Sequence, residues 1–217
     1  MQLVIHTNEA LRQELLINGI KEDVEIISVK NAEEFTGWKD ADGFIDLLFD
    51  YSKDRIDLLL TLSPKPVVVN SVVVTLQTMN ASFVRFNGWP GFLDRHSIEA
   101  SVTNDKMKQQ AVEIFSCLNK DVCWIDDIPG LISARVIAMI INEAWFALQE
   151  DVSTKQEIDL AMKLGTNYPY GPFEWCNKIG IDNIYSLLHE LSKSNPRYEP
   201  AALLQKEALS NVAHFKY

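Results

Sequence analysis

The chain contains 217 residues, of which 47% are hydrophobic and 23% are charged. These fractions are typical of globular proteins and exclude disordered, collagen-like and low-complexity architectures. Thirty acidic residues against twenty Lys and Arg give a formal net charge of −10, which argues against non-specific binding to nucleic acid or anionic membranes. No apolar run approaches the roughly 20 residues that a membrane span needs. We therefore expect neither kind of partner.

The N-terminal sequence MQLVIHTNEA lacks the basic and long apolar regions of a signal peptide, so we expect a cytoplasmic protein. The three cysteines, Cys117, Cys123 and Cys176, follow no ligand pattern and are expected to be reduced. The four histidines also lack the spacing of metal ligands, and no metal site is predicted.

The first part of the chain alternates short apolar segments with amphipathic ones. The predicted strands are 3–7, 24–29, 43–50, 66–74, 82–89, 98–102 and 121–126. The predicted helices are 9–19, 54–62 and 106–119. This alternation predicts a parallel α/β sheet. Only seven residues separate Val74 from Ser82, too few for a crossover helix, so the winding of the sheet is expected to deviate there.

The strand pattern ends before Pro129, and the remainder of the chain reads as helical. The predicted helices lie at 131–151, 155–165, 181–194 and 200–213. The first of them is apolar on most faces and is expected to form the buried centre of this part. Ser153 and Gln156 form a predicted capping box at the start of the second helix.

The turn after the first strand decides whether the α/β part carries a dinucleotide site. A Rossmann domain places the glycines of a G-x-G-x-x-G motif there, because a pyrophosphate approaches the backbone closely. His6, Asn8 and Leu11 stand at the three glycine positions. Glu9 would bring a carboxylate to a helix N-terminus that should attract phosphate. The pattern therefore predicts a Rossmann-like fold without a cofactor-binding turn.

Four segments of the helical part carry a family resemblance: DIPGLISAR (127–135), INEA (141–144), IDLAMKLG (158–165) and YPYGPFE (168–174). Their order and spacing resemble the C-terminal domain of 3-hydroxyacyl-CoA dehydrogenases. A glycine-poor Rossmann-like unit ahead of such a domain is similar to the second, degenerate half of long two-copy bacterial enzymes associated with phenylacetate breakdown. The resemblance implies a truncated α/β Rossmann-like domain at 1–126 and an all-α dehydrogenase C-terminal-like dimerisation domain at 127–217.

The catalytic residues that the resemblance implies are mostly replaced. The histidine of the family's H-F-F-N-P motif corresponds to Val84, and the asparagine of P-G-F-x-x-N-R corresponds to Ala134. The glutamate partner of that histidine corresponds to Glu99, which is the one catalytic candidate. A valine cannot accept the substrate's hydroxyl proton, so the general base is missing.

Four side chains are candidates for a substrate pocket: Asn70, Ser71, Asn87 and Glu99. The first three fall at predicted strand ends, where ligands of open α/β sheets bind. They are equally suited to capping local turns, and Glu99 has the simpler interpretation of an exposed strand residue. His96 could replace the missing base, although a solvated loop histidine is the simpler interpretation.

Three functions remain as hypotheses. The resemblance implies oxidation of a 3-hydroxyacyl-CoA to a 3-ketoacyl-CoA in fatty-acid and acyl-CoA metabolism, with NAD as cofactor by resemblance alone. The replaced residues favour instead a non-catalytic module that dimerises, completes a partner dehydrogenase or binds acyl-CoA. The third is a Rossmann-like module with an unrelated small ligand. We also expect a homodimer formed through residues 130–217, because so apolar a helix in a small domain calls for further burial.

Overall fold

The computed structural model describes residues 1–214. The chain divides into two compact units, an α/β unit that ends at Leu131 and a helical unit that starts at Ile132. The predicted boundary after residue 126 falls earlier, because Asp127 and Ile128 accept hydrogen bonds from Arg85 in the sheet and so stay with the first unit. None of the helices in the described part of the chain is long and apolar enough to span a bilayer.

The α/β unit is organised around one sheet. Its strands are β1 (Gln2–His6), β2 (Glu25–Val29), β3 (Gly43–Asp46), β4 (Val67–Asn70), β5 (Val84–Phe86), β6 (Ser97–Val102) and β7 (Asp121–Trp124). They lie in the order β2-β1-β3-β4-β5-β6-β7. All neighbours are parallel except β5 and β6. The predicted Rossmann-like α/β fold is therefore confirmed.

Helices cover both faces of this sheet. They are α1 (Glu9–Leu16), α2 (Lys53–Leu60), α3 (Leu76–Met79) and α4 (Asp105–Cys117). Alternate residues of a strand point to opposite faces. Leu3 and Ile5 of β1 accordingly share a core with Phe115 of α4, whereas Val4 shares the opposite core with Leu59 of α2. Both faces are buried, which accounts for the continuous apolar strands of the sequence.

The predicted deviation of the winding lies one strand later than expected. Strand β4 ends at Asn70 rather than at Val74, because the Ser71 hydroxyl donates to the Val74 carbonyl oxygen and closes a turn. The chain then has room for α3, and β5 joins β4 in parallel. The antiparallel step comes between β5 and β6 instead.

The second unit is all-helical in its described residues, as predicted. Its helices are α5 (Ser133–Gln149), α6 (Lys155–Thr166), α7 (Pro172–Ile179), α8 (Ile181–Ser192) and α9 (Ala202–His214). Helix α5 is central, and Ile141 and Trp145 on it are buried against the surrounding helices. The capping box of α6 is formed by Thr154 and Glu157, one residue later than predicted. Helix α7 was not predicted, because its Pro- and Gly-rich start has the composition of a turn.

Candidate functional site

The order in which strands are added to the sheet reverses at β1. Strand β2 lies on one side of β1, and β3 lies on the other side. In open α/β folds the crevice at this switch, at the carboxyl ends of the strands, holds the ligand. His6 ends β1 and Asp46 ends β3, and the two residues are direct neighbours in the sheet register. The side chains of both are buried. Buried polar side chains therefore stand at the strand ends of this switch.

The buried pair is completed by an arginine from α2. His6 Nδ1 lies 2.7 Å from Asp46 Oδ1, and the Arg55 guanidinium donates to Asp46 Oδ2 at 2.8 Å. The backbone N–H of Leu48 also donates to Asp46 Oδ1. His6 Nε2 lies 3.2 Å from the Lys30 carbonyl oxygen at the end of β2. These contacts join three strands and a helix, and we call His6, Asp46 and Arg55 the switch-point cluster.

Asn8 and Leu11, which replace the other two glycines of the motif, have structural roles. Asn8 is the N-cap of α1, and its side chain accepts a hydrogen bond of 2.9 Å from the Leu11 N–H. The Leu11 side chain is buried in the core between the sheet and the helices. A capped turn of this kind satisfies helix N–H groups that a phosphate would otherwise bind.

The side chains predicted at strand ends bind backbone groups of neighbouring loops. Asn70 Nδ2 donates to the carbonyl oxygens of Leu47 and Gly88, and Asn70 Oδ1 accepts from the Gly88 N–H at 3.0 Å. A Cβ atom at Gly88 would lie 2.7 Å from Asn70 Cγ, so a glycine is required there. Ser71 closes the turn after β4, and Asn87 Oδ1 accepts from the Trp89 N–H. All of these contacts are to backbone groups, as expected if the three side chains cap local turns.

The loop between β5 and β6 is fixed by two charged side chains that the sequence did not single out. Glu14 of α1 accepts hydrogen bonds from the N–H groups of Gly91 and Leu93. The buried Lys120 ammonium donates to the carbonyl oxygens of Leu93 and Arg95. Burial lowers the pKa of Lys120, because desolvation disfavours the charged form. The loop is thus held through its backbone.

Arg85 is the largest fully buried side chain among the described residues. Its guanidinium donates to the Ser71 carbonyl oxygen at 2.6 Å, to Asp127 at 2.5 Å and to the Ile128 carbonyl oxygen at 2.6 Å. Burial lowers the pKa of Arg85, whereas the Asp127 carboxylate acts to raise it. The only feature of the sequence that indicates this buried hydrogen-bonding role is a basic residue inside an otherwise apolar strand.

In the helical unit, the family-like segments meet at the corner between α6 and α7. Asp159 Oδ1 accepts from the Phe173 N–H at 2.8 Å, and any side chain at Gly171 would overlap Asp159. Glu174 Oε2 accepts from the Gly171 N–H, while Glu174 Oε1 binds the Lys163 ammonium. These two hydrogen bonds lower the pKa of Glu174. Asp159, Lys163 and Glu174 of the motif therefore stabilise the corner.

The INEA segment has a similar structural role. Asn142, buried in α5, accepts from the Ala201 N–H at 2.9 Å and donates to the Glu199 carbonyl oxygen at 2.8 Å. It thereby fixes the start of α9 against α5. No group of three or more His, Cys, Asp or Glu side chains that could hold a metal ion occurs within the described residues.

A family model for the C-terminal domain of 3-hydroxyacyl-CoA dehydrogenases matches residues 130–213. Residues 130–213 therefore form a domain of the 3-hydroxyacyl-CoA dehydrogenase C-terminal type. The match covers the segments whose polar residues fix the corner of α6 and α7 and the start of α9.

Named proteins with similar sequences are hydroxyacyl-CoA dehydrogenases as well. The chain is 43% identical over 112 residues to the 3-hydroxyadipyl-CoA dehydrogenase of Escherichia coli, which covers 51% of this chain and 24% of that protein. It is 31% identical over 140 residues to the human mitochondrial hydroxyacyl-coenzyme A dehydrogenase, covering 63% and 45% of the two chains. The matches thus span less than half the length of these relatives.

Solved structures extend the likeness to the α/β unit. The (S)-3-hydroxybutyryl-CoA dehydrogenase of Ralstonia eutropha superposes with a TM-score of 0.73 over 97% of this chain and 93% of that one, at 16% identity. The 3-hydroxybutyryl-CoA dehydrogenase of Escherichia coli gives a TM-score of 0.60 at 31% identity over 68% and 32% of the two chains. The dehydrogenase-family fold therefore covers both units.

The sheet register separates two of the catalytic positions that the resemblance implies. Val84 shares a core with Ile98 and Ala100, so the intervening Glu99 points to the opposite face of the sheet. The neighbour of Glu99 is Asn87, whose N–H donates to the Glu99 carbonyl oxygen at 3.0 Å. If Glu99 is the family's glutamate, the base position beside it holds an asparagine, which cannot take a proton at neutral pH either.

The remaining two candidates are His96 and Ala134. His96 is exposed on its loop, with Nδ1 3.5 Å from the Asn119 carbonyl oxygen. Ala134 is buried in the first turn of α5. The chain therefore places a carboxylate and an amide at one strand end, without a histidine beside them.

Proposed function

We propose that this chain is a non-catalytic member of its family, a cytoplasmic module of acyl-CoA metabolism that pairs with another subunit and does not itself transfer hydride. The observation that carries the proposal is the switch-point cluster. His6, Asp46 and Arg55 fill the crevice in which a Rossmann fold receives the pyrophosphate, and no glycine opens the first turn. The replaced base positions, Val84 and Asn87, support the same conclusion.

Titration of the purified chain with NADH tests this proposal directly. We expect no saturable heat and no quenching of tryptophan fluorescence below roughly millimolar cofactor, because an affinity of that order corresponds to few productive contacts. Reduction of acetoacetyl-CoA by NADH should likewise stay at the background rate. The human mitochondrial relative serves as a positive control in both assays. A micromolar dissociation constant for NADH would overturn the proposal.

A second candidate is the reaction that the names of the relatives describe, NAD-dependent oxidation of a 3-hydroxyacyl-CoA to the 3-ketoacyl-CoA. The family resemblance of the helical unit favours it, as does the pairing of Glu99 with Asn87 at the end of β5. Turnover that is abolished in the Glu99→Gln variant, while the fold is retained, would establish this candidate in place of the first.

The pairing partner we propose is a second copy of this chain, bound through the helical unit. Helix α6 supports this, because Asp159 is its one buried side chain, while Leu160 and Leu164 are 54% and 79% exposed. Two leucines four residues apart form one apolar ridge on a helix, and such ridges on surfaces are typical of interfaces. A catalytic dehydrogenase or acyl-CoA is the alternative occupant of this surface.

Light scattering and sedimentation at micromolar concentration test the dimer. We expect twice the monomer mass for the unmodified chain and a folded monomer for the Leu160→Asp/Leu164→Asp double variant. Val112→Asp, at an exposed position of α4, is the matched control and should remain dimeric. An unmodified chain of monomer mass would refute the homodimer. Ile141→Asp is unsuitable as a test, because Ile141 is buried within its own unit.

A further inference from the structure

A surface cleft of about 360 Å³ lies on the helical unit, between the second half of α5 and helix α9. Its volume falls at the lower end of small-molecule sites, which occupy roughly 300–1,000 Å³. Trp145, Leu148 and Leu203 form its apolar floor. No residue discussed for the dehydrogenase reaction lines this cleft.

The Trp145 side chain of the floor is packed into the core of the helical unit. Trp145 is almost fully buried, and its ring meets the Phe173 ring edge-on with centroids 5.4 Å apart. Leu203, at the start of α9, is 37% exposed beside it. A ligand entering the cleft would therefore bury apolar surface without rearranging the core, which is the arrangement that favours binding of aliphatic groups.

The rim of the cleft carries an excess of positive charge. The Lys155 ammonium lies 3.4 and 3.3 Å from the two carboxylate oxygens of Glu207 and 4.3 Å from the Trp145 ring centroid. This pair neutralises Glu207 and fixes Lys155 over the floor. Lys206, which also lines the cleft, forms no ion pair with any described residue. The cleft thus has a free cation on a chain whose formal net charge is −10.

We propose that this cleft binds a medium-chain aliphatic carboxylate, with the tail on Trp145, Leu148 and Leu203 and the carboxylate at the Lys206 ammonium. The Ser210 hydroxyl, also on the rim, already donates to the Lys206 carbonyl oxygen at 2.7 Å, so Lys206 is the anion's main partner. Charge complementarity disfavours an alkylammonium ligand, because Lys206 would repel it and the Glu207 carboxylate is already paired with Lys155. The site extends beyond the proposed function, since it uses neither the crevice nor the α6 ridge.

Calorimetric titration of the full chain with octanoate, below its micelle concentration, tests the site. Hexanoate, octylammonium and 1-octanol are the comparison ligands. We expect saturable octanoate binding, weakened roughly three- to four-fold for each methylene removed from the tail. Octylammonium should bind at least several-fold more weakly than octanoate. The indole N–H resonance of Trp145 should shift in the NMR spectrum as octanoate binds.

Two variants locate the binding. Lys206→Gln should weaken octanoate about two- to five-fold, as expected for an exposed ion pair, and Leu203→Asp should weaken it further. Lys193→Gln, on the surface of α8 outside the cleft, is the matched control and should bind octanoate as the unmodified chain does. Absence of saturable binding at a few millimolar would overturn the proposal. Equal affinity for octylammonium, or octanoate binding unchanged by both cleft variants, would overturn it as well. NADH titrations are independent of every one of these outcomes.

Discussion

The helical unit and the α/β unit both have folds found in dehydrogenases, yet their polar side chains bind different kinds of partner. In the helical unit, Asn142 and Asp159 bind backbone groups at helix starts, and these are residues of the segments that identify the family. In the α/β unit, His6, Asp46 and Arg55 bind chiefly one another at the ends of β1 and β3. The comparison teaches that the polar residues of the helical unit stabilise backbone turns, whereas those at the switch point stabilise a buried cluster of side chains.

Substitution of Arg85 should give the largest effect and tests whether the α/β unit depends on its buried polar contacts. Arg85→Met removes the donor to the Ser71 and Ile128 carbonyl oxygens. It also removes the charge partner of Asp127, whose carboxylate then keeps only the N–H groups of Leu76 and Gln77. We expect a loss of about 3–5 kcal/mol in the free energy of unfolding, as for other broken buried ion pairs. Urea unfolding followed by circular dichroism measures it. Arg95→Met, at an exposed position stacked on Phe92, should cost about 1 kcal/mol or less.

The corresponding test of the helical unit is Gly171→Ala. The new Cβ atom would overlap Asp159 and displace the carboxylate that caps α7, so we expect a loss of about 2–3 kcal/mol in unfolding free energy. Gly165→Ala is the matched control, since a Cβ atom there meets nothing within 4 Å and lies in a helix. That control should be neutral or slightly stabilising. Equal urea midpoints for the two variants would contradict the structural role of the motif.

The sequence predicted the parallel sheet, the helical unit and the loss of the glycine-rich turn, because each rests on local pattern. It missed the end of β4, since the apolar run continues past Asn70 and only the bond from Ser71 closes the turn. It missed α7, whose cap comes from Asp159 in a preceding helix. The partners of Arg55 and Arg85 were not predictable either, because an ion pair between segments far apart in the chain produces no recognisable local sequence pattern. The fold class could therefore be predicted from the sequence, whereas the contacts of the candidate site could be identified only from the structure.

A smaller effect is expected from acid. Hydrogen bonds from Lys163 and the Gly171 N–H lower the pKa of Glu174 in the folded chain. The resulting stabilisation is present above the ordinary glutamate pKa and disappears as the pH falls through the lowered value. Thermal melts between about pH 6 and pH 3 should therefore show a shallower decline for Glu174→Gln than for the unmodified chain. The exposed Glu143→Gln control should follow the unmodified curve; a steeper decline in Glu174→Gln would reverse the assigned sign.

The smallest expected effect is a null result in the α/β unit. Asn87→His places an imidazole beside Glu99, the position at which a base would stand if Glu99 is the family's glutamate. We still expect no reduction of acetoacetyl-CoA, because the switch-point cluster leaves the cofactor without a crevice. A spectrophotometric assay of NADH consumption measures this rate, and the rate of the unmodified chain is the baseline. Measurable turnover in this variant would show that the base alone had been lost.

Under the proposed function, the switch-point cluster also makes a nucleotide site difficult to create by single substitutions. Replacement of His6 by glycine leaves Asp46 buried and still held by Arg55 and the Leu48 N–H. Loss of Arg55 alone leaves the Asp46 carboxylate with a histidine partner in the same place. Each single change weakens a mutually dependent set before any nucleotide can bind. The three residues therefore form an epistatic set, in which cofactor binding requires several changes together.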